Sequence, residues 1–176
     1  MEFIVKKYYN IEGMIRNGFK LSRDYHSLDF SYAKISDDAM LALAKSRSVK
    51  QVRRLIITGK KLTAISAQAL AESNCLPNLE SLKLYKNKIG DEGVKYLAET
   101  DKLPNIKTLR FAWNDIGPEG ARSLAESSQL GGLTSLALSE NHIGDDGLKY
   151  LAEAKSFSNL EIIDLRKNQI TDEGAK

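Results

Sequence analysis

The chain is short of the residues that catalysis or a disulfide framework needs. Its 176 residues include one cysteine, two histidines, three prolines and one tryptophan. A single cysteine, Cys75, excludes an internal disulfide and fits a reducing, cytoplasmic compartment. No base or cationic motif adjoins it, so it reads as a small packing residue rather than a nucleophile. No Cys or His spacing matches a metal site, and no cofactor is expected. No apolar run approaches the roughly 18 residues that a membrane span needs. Phe3-Ile4-Val5 meets Lys6-Lys7 at once, too early for a signal peptide.

What is present is repetition. The stretch 79–105 begins LxxLxLxxNxI, passes through a glycine into a helical pattern and ends at Pro104-Asn105. Shifted by 27 residues, Leu79, Leu82, Leu84, Asn87, Ile89 and Gly93 become Ile106, Leu109, Phe111, Asn114, Ile116 and Gly120. The frame runs without insertion through units 25–51, 52–78, 79–105, 106–132, 133–159 and a truncated 160–176. A fixed period of this length marks a solenoid. Residues 1–24 fall outside the frame and read as a terminal cap, with strand formers at Phe3, Val5, Tyr8 and Tyr9 and a helical spacing over 11–21.

Within each unit the apolar period changes from two to about 3.6. Leu82 and Leu84 face inward while Ser81, Lys83 and Tyr85 face outward. Asp91 and Glu92 then stand where the first turn of a helix favours acids, and Val94, Leu97 and Ala98 form its buried stripe. A small residue recurs at Ala39, Ser66, Gly93, Gly120, Gly147 and Gly174, as close packing of helix on the layer beneath requires. Asn87, Asn114, Asn141 and Asn168 form a column at the strand exit, best explained as a structural ladder of paired amides. Ala33 and Lys60 break the column, so the first two turns are expected to be less regular.

The LxxLxLxxNxI of 79–89, with the following IGDEG and LAE, resembles the leucine-rich repeat of the ribonuclease-inhibitor class, also found in cytosolic innate-immune receptors. The resemblance implies an α/β, right-handed, horseshoe-shaped solenoid over 25–176, with a concave parallel sheet, convex helices and protein recognition on the concave side. Short stand-alone proteins of this kind are similar to the effectors that intracellular bacteria deliver into the host cytosol.

Five positions per unit are expected to look into the concavity. In units two to four they include Arg53, Arg54, Lys83, Lys86, Lys107 and Arg110 against one acid, Glu80, a formal +5 inside a chain of net +3. Tyr85 and Trp113 share that centre, and Trp, Tyr and Arg are the commonest interface hot spots. These eight side chains (the six cations, Tyr85 and Trp113) are the expected contact site for a protein partner with an acidic surface. The alternatives are solvated strand faces, a nucleic-acid surface using Trp113 for base stacking, or a repeat fragment of a larger receptor. His26 and His142 lie four units apart, and the glycines follow the repeat rather than a phosphate loop, which disfavours an enzyme. The sixth unit stops short of its helix-closing Leu-Ala, so its edge is expected to fray or to pair with a second copy.

Overall fold

The computed structural model describes residues 10–22 and 24–175. Helix α1 (Ile11–Ser22) leads into strand β1 (Ser27–Asp29) and helix α2 (Asp37–Lys45). Then follow β2 (Arg54–Ile56), α3 (Ala64–Ala71), β3 (Ser81–Lys83), α4 (Gly90–Glu99), β4 (Thr108–Arg110), α5 (Pro118–Ala125), β5 (Ser135–Ala137), α6 (Gly144–Ala152) and β6 (Ile162–Asp164). The six strands form one open parallel sheet in sequence order. Leu28, Leu55, Leu82, Leu109, Leu136 and Ile163 are successive register partners, each 27 residues from the last. The constant offset is the physical form of the repeat, because a slip of one residue would turn the leucines to solvent.

In the first five strands the central leucine is buried. Leu55, Ile57, Leu82, Leu84, Leu109 and Phe111 lie in one continuous core with Leu70, Val94, Leu97, Ala98, Ala121 and Leu124 from the helices. Parallel strands sit about 4.8 Å apart whereas packed helices need about 8–10 Å. Coils built from one of each must fan apart on the helical side, leaving the sheet on the inner wall.

Three rows of polar contacts hold adjacent coils in phase. The first is the asparagine column. Asn114 is fully buried; its Nδ2 donates to the carbonyls of Leu84 (2.7 Å) and Phe111 (3.0 Å), while its Oδ1 accepts from Ile89 N. Asn87, Asn141 and Asn168 repeat the pattern. Lys60 departs from the expected irregularity. Its ammonium donates to Ser31 O at 2.6 Å, one coil back, much as the asparagines do, and its turn keeps the left-handed Gly59 of the regular coils. Only the first turn, at Ala33, lacks such a residue among the positive-φ positions.

The second row closes helix ends: Ser73, Thr100 and Ser127 donate their hydroxyls to Ala44, Ala71 and Ala98 O of the preceding coil. At the first coil the corresponding Ser46 turns instead to Glu12 of α1 (2.7 Å), which also accepts from Ser48 (2.6 Å). These hydroxyls, Ser48 first, hold the Glu12 carboxyl below its ordinary pKa. Helix α1 thereby takes the place of a preceding coil. Phe3, Val5, Tyr8 and Tyr9 lie outside the described residues.

The third row reveals a double period. Asp37, Asp91 and Asp145, in the first turns of odd coils, accept from the backbone N–H of Thr63 and Gly117, at the helix starts of the second and fourth coils, and of Thr171, which precedes a turn in the sixth. The acids therefore serve the next coil as well as their own helix. The recurrent small residue has a shared cause and, at Gly120, a second one. A Cβ on Gly93, Gly120 or Gly147 would press on the isoleucine Cγ2 four residues earlier and on the Cα of Ala64, Asp91 or Pro118 in the neighbouring helix. On Gly120 it would also meet Asp91 Oδ1 at 2.6 Å. Ser66 solves the same problem by donating its hydroxyl to Asp37.

Two substitutions separate these roles. Asn114→Ala strands several buried backbone groups, each costing about 1–3 kcal/mol, and should lower urea-measured stability by at least ~2 kcal/mol; a loss below ~1 kcal/mol would remove the ladder from its structural role. Gly120→Ser should be better tolerated than Gly120→Ala, because only serine can donate to Asp91 as Ser66 does to Asp37.

Candidate functional site

The solvent-facing side of the sheet is a grid whose columns are strands and whose rows are register partners. One row reads Asp29, Ile56, Lys83, Arg110, Ala137, Asp164. Lys83 and Arg110 are direct cross-strand neighbours at its centre, with uncharged residues beside them and carboxylates at both ends. Arg54 stands one strand over in the adjacent row. Lys83 is half-buried, and partial loss of water lowers its pKa first, with Arg110 and then Arg54 pushing the same way against Asp29. This coupling places Arg54, Lys83 and Arg110 in one electrostatic neighbourhood.

The cations are not equivalent. Arg53 pairs with Glu80 across adjacent strands at 3.2 Å. Arg54 donates Nε to Ser27 Oγ at 2.6 Å and pairs with Asp24, a residue outside the repeat frame that charge counting along the strands overlooks. Asp24 is held in its ionised form by Ser27 first, then by backbone N–H groups and Arg54. Lys83, Lys86, Lys107 and Arg110 make no ion pair among the described residues. The basic centre is thus narrower than six side chains and shifted toward β3 and β4. Toward the other end Arg166 clasps Asp164 at 2.8 Å and Lys167 meets Glu140, so that region is self-neutralised.

Tyr85 and Trp113 remain 42% and 45% exposed, enough to offer ring faces to a partner. Trp113 does not stand on the strand itself. Gly59, Lys86, Trp113, Glu140 and Lys167 form a column at the turns after β2 to β6, all with φ between 56° and 67°. The left-handed turn is fixed by backbone bonds between coils, among them Trp113 N to Ser139 O at 3.1 Å and Asn87 N to Trp113 O at 3.0 Å. A bulky residue there costs about 1–2 kcal/mol relative to an unstrained backbone. The glycine at 59 in the same column is the sequence signal that could have disclosed the turn. Lys86 Nζ lies 6.0 Å from the Trp113 ring centroid, a cation–π contact that steadies the indole at the rim. Below it opens a hollow of about 430 Å³ bordered by Trp113, Lys86, Glu140, His142 and Lys167. His142 is exposed there, its Nδ1 2.8 Å from Gln169 Nε2.

A larger hollow, about 600 Å³, lies on the opposite side between α4 and α5, away from the cationic centre. Its acids already have structural work: Asp91 caps Gly117, and Glu126 and Glu119 flank Arg122. Among the described residues no three His, Cys, Asp or Glu side chains come together to hold a metal ion, and no helix is long and apolar enough to cross a membrane. Cys75 is half-buried and unpaired with any other cysteine.

The family model described as Leucine Rich repeat matches residues 75–98, 102–125, 133–152 and 158–176. These segments coincide with coils whose strands share the single 27-residue register. The chain is a leucine-rich repeat solenoid. No curated protein matches it. Repeats of this family generally serve protein–protein interaction, and the exposed sheet of this solenoid carries Lys83, Lys86, Lys107 and Arg110 with the half-exposed rings of Tyr85 and Trp113.

The strain at Trp113 gives a direct test. Trp113→Gly relieves the left-handed backbone and should leave urea-measured stability unchanged or raised by up to about 1 kcal/mol. A loss above ~2 kcal/mol would make the indole a structural element rather than an exposed contact.

Proposed function

We propose that this solenoid is a non-enzymatic scaffold that binds a protein partner with an acidic surface through the concave face of its sheet. The observation that carries the reading is the juxtaposition of Lys83 and Arg110, in register and without counter-ions, beside the exposed rings of Tyr85 and Trp113. Arg53, Arg54, Lys86 and Lys107 complete the surface. Arg53 and Arg54 exchange Glu80 and Asp24 for the partner's carboxylates, whereas Lys86 presents Trp113. Burying a charged, partly dehydrated patch is unfavourable for a monomer and becomes favourable when opposite charge covers it.

Nucleic acid fits the same face less well. A backbone running across the sheet would leave the two cations and find no unpaired cation further along their row, only Ile56 and Asp29 on one side and Ala137 and the Arg166-bound Asp164 on the other. The helix between every pair of strands supports placement in the ribonuclease-inhibitor class. The single cysteine supports a cytoplasmic site of action, which for an injected bacterial effector is the host cytosol. Self-association is a further part of the proposal: Ile162 and Ile163 on β6 are 60% and 42% exposed, an apolar edge suited to a second copy.

The test is capture of partners from host-cell extract by the wild type and by the double variant Arg110→Ala/Trp113→Ala. Loss of a specific partner, corresponding to more than about 1 kcal/mol of affinity, with unchanged unfolding, is the expected result. Equal capture by both proteins would move the binding site off this face.

A further inference from the structure

We infer that the centre of this face recognises a phosphate group, so that the partner presents a phosphorylated side chain to Lys83 and Arg110. The inference rests on the partner-binding reading above and names the chemistry of its central contact.

Three observations lead there. First, Lys83 and Arg110 occupy facing positions on adjacent strands, whose backbones are about 4.8 Å apart. Neither has an ion pair among the described residues, and their direct neighbours in the row are Ile56 and Ala137. Two cations held side by side match a dianion; a lone carboxylate would answer only one of them. Second, Lys83 is partly withdrawn from water, and the guanidiniums of Arg110 and Arg54 act on it. An isolated solenoid gains nothing from that crowding, and a bound dianion reverses its sign. Arg110 offers the planar fork that grips phosphate oxygens, and Lys83 the compact charge beside it. Thr108, two residues before Arg110 on β4, is the partly exposed hydroxyl nearest the pair along that strand, whereas its register partner Ser81 is buried.

Third, the site is a focus rather than a track. Asp29 and Asp164 stand two strands beyond the cations, roughly 10 Å on either side. With Ile56 and Ala137 next to the cations, and Asp29 and an Arg166-neutralised Asp164 beyond them, such a row accepts one compact dianion and offers the flanking phosphates of an extended polyanion no unpaired cation. Tyr85 and Trp113, farther along the coil direction, then lie where the residues flanking a phosphorylated side chain would run.

The experiment follows backbone amide shifts by NMR during titration with O-phosphoserine, with serine and acetate at matched ionic strength as controls. Saturable shifts are expected in residues 81–86 and 108–113, at least tenfold tighter for O-phosphoserine than for acetate. Lys83→Met/Arg110→Gln should weaken them at least tenfold while the remaining spectrum is preserved, and Lys149→Gln on α6 should leave them unchanged. Non-saturating shifts, shifts elsewhere, or equal binding by the double variant would overturn the inference. So would tighter binding, through the same amides, of a short single-stranded oligonucleotide at equal phosphate concentration. Phosphatase treatment of a captured partner separates this inference from the broader reading. Abolished capture supports the phosphate contact. Capture that survives dephosphorylation yet still depends on Arg110 and Trp113 refutes the phosphate contact and leaves the acidic-partner reading intact.

Discussion

A buried side-chain amide sets the spacing of this molecule. Asn87, Asn114, Asn141 and Asn168 each bond to backbone groups of two coils, so none of the second to sixth coils can slide against its neighbour without stranding donors and acceptors in the core. The hydrophobic core alone would tolerate small shifts, because a leucine layer is smooth. The amides are directional and do not. They fix the offset at 27 residues, and that offset decides which side chains share a row on the sheet.

Function in this account is a by-product of that phase. Lys83 and Arg110 are remote in sequence and face each other only because β3 and β4 are held in register. The same column fixes the left-handed turns after β2 to β6, where glycine, lysine or glutamate would serve the backbone and where Trp113 stands instead. The ladder thus has two consequences for the face: it aligns the cations, and it sets a strained, half-exposed indole at their rim.

Much of the architecture was legible because burial repeats. Leucine spacing, the asparagine column and the small residue in each helix all follow from what a stacked coil must bury, and such demands recur at one period. The site was legible only in part. Strand alternation correctly put Lys83, Tyr85 and Arg110 on the solvent side, but Trp113 belongs to a turn whose left-handed backbone is a relation between coils. Charge counting treated Arg54 as part of the exposed excess, whereas Asp24, outside the repeat, neutralises it. The recurrent glycine is the close-packing device its spacing suggested, but at Gly120 it also clears the Asp91 carboxylate, because Asp37, Asp91 and Asp145 cap the following coil and impose a double period. Lys60 appeared to break the ladder, yet its ammonium reaches Ser31 O and supplies the donor half of the missing asparagine's bonds. What escaped the sequence in each case was a contact between coils by a residue type the local pattern does not require.

The central claim is that buried asparagine amides lock the coils in phase, and their own protons report on it. Side-chain NH2 exchange with deuterium, followed by NMR on the isolated protein, compares the ladder with Asn78, Asn105 and Asn159, whose amides bond to turn carbonyls at the exposed surface. The account predicts that Asn87, Asn114 and Asn141 exchange far more slowly than those three, at rates approaching those of the core strand amides. Exchange of the ladder amides as fast as that of the exposed asparagines would contradict it.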